Sequence, residues 1–140
     1  MTTPKLELDL PRLDADRPAN ILVVDDDADI RGLVELTLTR AGYEVTTAAH
    51  GSAALAAIDR RLPELVVLDV AMPGMSGIDV YTELRAADRT TLLPIIMLTA
   101  RRHVMFESQG MMAGADLYMV KPFSPKDLVA RVENLLTYSR

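Results

Sequence analysis

Four short apolar runs in this chain each end at a polar residue that can take part in chemistry. The runs cover 21–24, 65–68, 95–98 and 117–120, and the residues that follow them are Asp25, Asp69, Thr99 and Lys121. Short apolar runs separated by helix-length segments are typical of a parallel sheet that is covered on both faces. In such a sheet the carboxyl ends of the strands open onto one edge, where ligands bind. The sequence therefore predicts that acids, a hydroxyl and an ammonium group meet at one surface site.

The composition limits what a domain of this kind can do. The chain has 140 residues, which suits one domain with one core. A formal charge of −5 argues against direct nucleic-acid binding by this domain, because phosphate neutralisation needs a dense basic surface. No apolar stretch approaches the ~20 residues of a membrane span, and cysteine is absent. We expect a cytoplasmic protein that does not interact with membranes.

The rest of the chain alternates between strand and helix patterns. Helices are predicted at 30–38, 51–61, 78–87, 104–113 and from Ser124 onward, and a further strand at 43–48. The segment 104–113 is the weakest of these helices, because its apolar residues keep poor period and Gly110 lies within it. Five strands and five helices in alternation predict a doubly wound α/β domain, the winding of which is restricted by right-handed crossovers.

Residues 1–19 have a different character from the domain that follows at 20–140. Three prolines, mixed charges and only leucines to bury favour a flexible N-terminal extension, because little apolar surface is available to offset the entropy of ordering. The alternation of Leu6, Leu8 and Leu10 leaves a second possibility open. In that case the segment would form a strand that pairs with a sheet edge or with a partner.

The predicted site combines three carboxylates with one lysine and one hydroxyl. Asp25, Asp26 and Asp69 would lie within several ångströms of one another, and each pair of charges at ~5 Å repels by about 3 kcal/mol at an effective dielectric near 20. A cation is needed to offset this repulsion, and oxygen ligands with room for water suit Mg²⁺. A divalent ion beside Lys121 and Thr99 could hold a phosphoryl group while a carboxylate attacks phosphorus.

These residues carry a resemblance to a known family. The chain from 20 to 138 resembles the receiver domain of two-component response regulators (the CheY-like superfamily). The motifs that match are Val-Val-Asp-Asp at 23–26, Leu-Asp-Val-Ala-Met-Pro-Gly-Met-Ser-Gly at 68–77, Thr-Ala at 99–100, Gly-Ala-Asp at 114–116 and Lys-Pro-Phe at 121–123. Their order and spacing are highly specific. The resemblance implies a flavodoxin-like fold with strand order 2-1-3-4-5.

The resemblance also implies a role for each site residue. Asp69 would be the phosphoacceptor, taking phosphate from a phosphohistidine on a sensor histidine kinase or a histidine phosphotransfer protein. Asp25, Asp26, Asp69 and the backbone carbonyl of Ala71 would hold Mg²⁺. Lys121 would pair with the phosphate, and its bond to Pro122 is expected to be cis.

A switch is implied as well. Thr99 would move its hydroxyl to a phosphate oxygen and Tyr118 would then turn inward, which would alter the surface around the fourth helix, the fifth strand and the last helix. The expected partners of that surface are a downstream protein or an output domain missing from this chain, and a phosphorylation-dependent dimer is a further expectation. The only catalysis expected is that of the domain's own phosphorylation and dephosphorylation.

The acidic segment after the first apolar run is also compared with two other functional motifs. The run 23–27 also resembles the opening of haloacid-dehalogenase-type phosphatases, in which Asp25 would be the nucleophile, but no second acidic pair follows Lys121 and no cap domain fits. A calcium loop fails because Ile30 stands where glycine is needed. Asp27 and Asp29 are better interpreted as first-turn acids of a helix than as metal ligands.

Overall fold

The computed structural model describes residues 17–100 and 117–139 of the chain, with side chains to residue 137. The strands are β1 (Asn20–Val24), β2 (Glu44–Ala48), β3 (Leu65–Asp69), β4 (Ile95–Thr99) and β5 (Leu117–Val120), and the helices are α1 (Ala28–Arg40), α2 (Gly51–Arg60), α3 (Gly77–Ala86) and α4 (Pro125–Ser139). The predicted helix at 104–113 and the leucine alternation at 6–10 lie outside the described residues. Among those described, no helix is both long and apolar enough to cross a membrane.

All five strands are parallel and follow the order β2-β1-β3-β4-β5. This confirms the doubly wound, flavodoxin-like sheet. The reversal of strand order falls between β1 and β3, whose carboxyl ends are level because Val24 pairs with Leu68. Ligands bind at such a reversal in doubly wound sheets.

The sheet separates two cores. Leu22, Val24, Val66 and Leu68 face α2 and α3, whereas Ile21, Val23, Leu65 and Val67 face α1 and α4. Every residue of β1, β3 and β4 is buried, because the alternating side chains meet helices on either face. Burial on both faces explains why these strands appear in the sequence as continuous apolar runs.

Local sequence signals fix the helix ends. Asp27 was predicted to lie in the first turn of α1, but it is the N-cap of that helix and accepts hydrogen bonds from the N–H groups of Asp29 and Ile30. Asp29 lies in the first turn, as predicted. The α1 helix ends in a Schellman motif, in which Gly42 has φ of 102° and the Tyr43 N–H donates to the carbonyl of Leu38. Because Tyr43 belongs to this motif, β2 begins at Glu44 instead of the predicted residue 43.

Candidate functional site

Three aspartates converge at the carboxyl edge of the sheet. Asp25 and Asp26 follow β1, and Asp69 is the last residue of the neighbouring strand β3. One carboxylate oxygen from each of them lies within 4.8 Å of the others. Asp25 and Asp69 are buried, at 1% and 3% exposure, while Asp26 is exposed. Of the three carboxylates, only that of Asp26 is exposed to solvent.

Lys121 reaches this cluster from the end of β5. Its Nζ donates hydrogen bonds to Asp69 Oδ1 at 3.0 Å and to Asp25 Oδ2 at 3.1 Å. The lysine side chain is 18% exposed, so these are largely desolvated ion pairs. The Lys121–Pro122 peptide bond is cis, as expected from the sequence. One ammonium against three carboxylates leaves the cluster with an excess of negative charge.

The excess of negative charge shows in the ionisation of Asp69. The pKa of Asp69 is raised from 3.8 to about 6: burial is the largest cause, the hydrogen bond from Lys121 opposes the rise, and the charges of Asp25 and Asp26 add to it. Burial lowers the pKa of Lys121, but its hydrogen bonds to Asp69 and Asp25 outweigh that effect, so the pKa lies above its usual value. Lys121 is thus a cation at neutral pH, and Asp69 is a carboxylate that gains from a further cation.

Backbone and helix contacts hold Asp25 in place. The N–H of Asp27 donates to Asp25 Oδ1 at 3.0 Å, which turns the chain away from β1 into the cap of α1. Arg31, one turn into that helix, donates from Nη1 to the Asp25 carbonyl oxygen at 2.9 Å. Arg31 was not predicted as a site residue, because its only signal in the sequence is a basic residue six positions after an acid.

Thr99 lies on β4, the strand next to the one that carries Asp69, and Tyr118 lies on β5, one strand further away. Thr99 ends β4 and is buried at 5% exposure. Its backbone carbonyl accepts the N–H of Lys121 at 2.7 Å, which extends the strand pairing to the lysine. Tyr118 is half-buried on β5 and packs against the core shared with α2 and α3. Thr99 therefore lies at the carboxyl edge of the sheet near the site, whereas Tyr118 packs against the core on one face of the sheet.

The loop after Asp69 folds back onto that residue. Ala71 is exposed two positions after Asp69, and Gly77 then donates its N–H to the Val70 carbonyl at 2.9 Å. A Cβ at Gly77 would overlap the Asp69 carbonyl oxygen and would lie 2.8 Å from Val70 Cα. Only glycine allows this approach without movement of the backbone that carries Asp69. Gly77 belongs to the motif at 68–77, but its steric role was not predicted, because that role depends on a contact between separate elements.

Among the residues that the structure describes, this cluster offers three carboxylates and no nitrogen or sulfur ligand, a donor set that suits a hard cation. Lys121, half-buried beside them, can pair with an anion bound at the same edge. The fold and the site thus define an α/β domain with an acidic cluster at its switch point that could bind a metal ion.

Comparison with known proteins assigns the family. The model of the response regulator receiver domain matches residues 21–133, and the chain belongs to this family. It is 51% identical over 83% of its length to the "Probable transcriptional regulator ycf27" of Pyropia yezoensis, covering 46% of that protein. It is 45% identical over 83% of its length to the phosphate regulon transcriptional regulatory protein PhoB of Pseudomonas aeruginosa, covering 51% of that protein. The chain thus spans about half the length of these curated relatives.

Solved structures agree with this assignment. The chemotaxis protein CheY4 of Vibrio cholerae has a TM-score of 0.78 at 37% identity, over 84% of this chain and 98% of that one. A CheY-like receiver domain protein of Methanospirillum hungatei has a TM-score of 0.80 at 30% identity, over 87% and 96% of the two chains. The receiver interpretation is confirmed, and the phosphatase alternative with Asp25 as nucleophile is not favoured.

Proposed function

We propose that Asp69 of this receiver domain accepts a phosphoryl group and that the acyl phosphate switches the domain's surface. The observation that carries the proposal is the position of the Asp69 carboxylate, 3.0 Å from Lys121 Nζ and beside Asp25 and Asp26. The donor would be a phosphohistidine on a sensor histidine kinase or a histidine phosphotransfer protein. An Asp69 oxygen attacks phosphorus, the phosphorus–nitrogen bond breaks, and its electron pair returns to the imidazole.

Each neighbour of Asp69 has a separate part in this transfer. Lys121 would move from Asp69 Oδ1 to a phosphate oxygen, which keeps its charge paired throughout. Asp25, Asp26, Asp69 and the Ala71 carbonyl would hold Mg²⁺, which when bound neutralises phosphate oxygens and the clustered carboxylates. The domain would catalyse only its own phosphorylation and dephosphorylation. It would not turn over a separate substrate.

The switch would use residues on either side of the phosphate. Thr99 would donate its hydroxyl to a phosphate oxygen, and Tyr118 would then turn inward against the core. Such contacts exist in only one state and can bias a two-state equilibrium by about 1–3 kcal/mol. The affected surface would comprise residues 104–113, β5 and α4. We expect beryllofluoride with Mg²⁺ to change hydrogen exchange at 104–113, and identical exchange in both states would contradict the switch.

The relatives support a proposal for the partners of the switch surface. Two of them are named as transcriptional regulators, and the match covers about half of each. We therefore propose that the switch surface binds an output domain, a downstream protein or, in a phosphorylation-dependent dimer, a second copy of the domain. With a charge of −5, the domain itself would not contact nucleic acid. We propose a cytoplasmic location and no membrane contact.

Acetyl phosphate with Mg²⁺ provides the direct test of the proposed function. The wild-type chain should gain one hydroxylamine-sensitive phosphoryl group, and peptide mapping should place it on Asp69. Asp69→Asn should abolish the labelling, whereas Asp88→Asn, a change at an exposed aspartate outside the site, should leave it intact. A label on Asp25 would instead support the phosphatase interpretation, and a wild-type chain without any label would reject the proposal.

A further inference from the structure

A groove lies at the opposite edge of the sheet from the aspartates. It has a volume of about 350 Å³ and runs between the loops that precede β3 and β4 and the end of α4. Its lining includes Leu62, Pro63, Glu64, Leu92, Pro94 and Leu136, and we call it the lower groove. Leu62 is 41% exposed and Leu92 is 87% exposed. Two leucines beside a groove offer apolar surface that a bound segment could cover.

The loop that carries Leu92 is held in a fixed shape. Thr90 Oγ1 donates to the Leu84 carbonyl at 2.6 Å, and Thr91 Oγ1 donates to the Arg85 carbonyl at 3.1 Å. Arg85 Nη1 in turn donates to the carbonyls of Thr90 and Leu93, at 3.3 and 2.9 Å. These bonds tie the loop to the end of α3. The wall of the lower groove is therefore preorganised, which lowers the entropic cost of binding.

The N-terminal segment of the same chain joins the fold beside this groove. The Asn20 N–H donates to Glu64 Oε1 at 2.7 Å, and the Glu64 N–H donates to the Asn20 carbonyl at 2.8 Å. Glu64 lines the lower groove. Ala19 belongs to the same core cluster as Leu136, which also lines it. The described part of the chain therefore begins next to the groove.

The composition of the segment matches the groove. Leu6, Leu8 and Leu10 alternate with the charged residues Glu7 and Asp9. In an extended chain this alternation places the leucines on one face and the charges on the other. The five residues from Leu13 to Arg17 are joined by four Cα-to-Cα steps that can span about 13 Å, and neighbouring strands are only about 4.8 Å apart. The tether is long enough to pass from β1 to the groove below β3 and β4.

We infer that residues 4–12 bind in the lower groove of their own domain, with the leucines against Leu62, Leu92 and Leu136. This takes the strand-like possibility that the sequence leaves open and gives it a position. A short tether gives an effective concentration of about millimolar, so that intrinsic affinity as weak as ~0.1 mM yields a mostly bound segment. The inference does not depend on phosphorylation, because the groove and the aspartates lie at opposite edges of the sheet.

A spin label tests the inference, since the chain has no cysteine of its own. With a nitroxide on Arg12→Cys, the amide signals of Leu62, Leu92 and Leu136 should lose more than half of their intensity. In the matched control, the same label is combined with Leu6→Ser, Leu8→Ser and Leu10→Ser, and the signals should recover. Leu92→Ser alone should restore them in part, because the exposed wall is then less apolar.

Three results would overturn the inference. Broadening confined to β2 or β5 would show that the segment pairs with a sheet edge. Broadening that persists in the triple-serine chain would show that the leucines are not the contact. In a mixture of spin-labelled chains without ¹⁵N and ¹⁵N-labelled chains without a nitroxide, groove broadening would show that the segment binds a second copy.

Discussion

Asp69 is a carboxyl group whose surroundings oppose its ionisation. Burial, and then the charges of Asp25 and Asp26, raise its pKa from 3.8 to about 6. Between these values the folded chain keeps a proton that the unfolded chain has released, so the free energy of unfolding falls as pH rises from about 4 to about 6. Without divalent cations at pH 7.5, Asp69→Asn should raise the free energy of unfolding by about 1–3 kcal/mol in urea denaturation.

The pH dependence separates this effect from packing. Near pH 4 the folded chain is almost fully protonated at this position and the unfolded chain is partly protonated, so the gain from Asp69→Asn should shrink to about 0.5 kcal/mol. Asp88→Asn, at an exposed position, should change the free energy of unfolding by less than about 0.5 kcal/mol at either pH. A gain that is equal at pH 4 and pH 7.5 would mean that ionisation of Asp69 is not its cause.

Gly77 controls the backbone beside the same carboxyl group. Because a Cβ there would overlap the Asp69 carbonyl, Gly77→Ala should lower the free energy of unfolding by about 1–3 kcal/mol and slow labelling by acetyl phosphate. Gly32 is the matched control, since a Cβ at that position in α1 meets nothing within 4 Å. Gly32→Ala should raise stability by about 0.5–1 kcal/mol. Equal effects of the two changes in urea denaturation would contradict the steric role.

The helices show how single contacts decide where an element begins. The N-cap of α2 is His50, whose Nδ1 accepts the Ala53 N–H at 3.2 Å. His50→Ala should lower the free energy of unfolding by about 1 kcal/mol, whereas His50→Asp should retain stability because it keeps an acceptor and adds a favourable charge. In α3, Ser76→Ala should cost a similar amount, since Ser76 and Asp79 form a capping box. If His50→Ala is as stable as the wild-type chain in thermal denaturation, His50 does not stabilise α2 as its N-cap.

The strands were the most predictable elements, because their burial on two faces leaves continuous apolar runs in the sequence. Helix ends with strong local signals were predictable too: Ser124 accepts the Asp127 N–H at 3.2 Å, as the serine-proline-acid pattern indicates. The order of the strands came from the family resemblance, since periodicity does not specify which strands are neighbours. A predicted boundary was wrong by one residue where a helix cap uses the backbone of the residue that was assigned to the next strand, as at Tyr43.

The site was predictable to the extent that parallel strands bring their ends together. That geometry explains why Asp25, Asp69 and Lys121 could be grouped from positions far apart in the chain. The supporting contacts were not predictable, because they depend on how helices and loops pack above the edge. Arg31 on the Asp25 carbonyl and Gly77 on the Asp69 carbonyl are both contacts of this kind.

Across the molecule, the sheet keeps its two edges chemically distinct. The carboxyl edge holds buried charges that need a cation, and the amino edge holds the apolar lower groove. The three central strands β1, β3 and β4 are buried along their whole length, and they are apolar apart from the terminal residues Asn20, Asp69 and Thr99. The effect of a ligand at one edge on the stability of the whole domain can therefore be measured without a direct contribution from the opposite edge.

Mg²⁺ should stabilise the whole domain by binding the aspartate cluster. An ion that binds only the folded chain raises its free energy of unfolding by about 1.4 kcal/mol at ten times the dissociation constant, which thermal denaturation can measure. Asp26→Asn should remove most of this rise with little effect on the metal-free domain, because Asp26 is exposed. Asp88→Asn should keep the rise, and NaCl of equal ionic strength should not reproduce it.

The pH dependence of this stabilisation identifies the ligand. A proton on Asp69 competes with the ion, and its pKa of about 6 in the metal-free chain means that half of the sites are protonated near that pH. At a fixed Mg²⁺ concentration, the rise should therefore be larger at pH 7.5 than at pH 5. If Asp26→Asn keeps the full rise, or if the rise is the same at both pH values, the ion binds elsewhere on the domain.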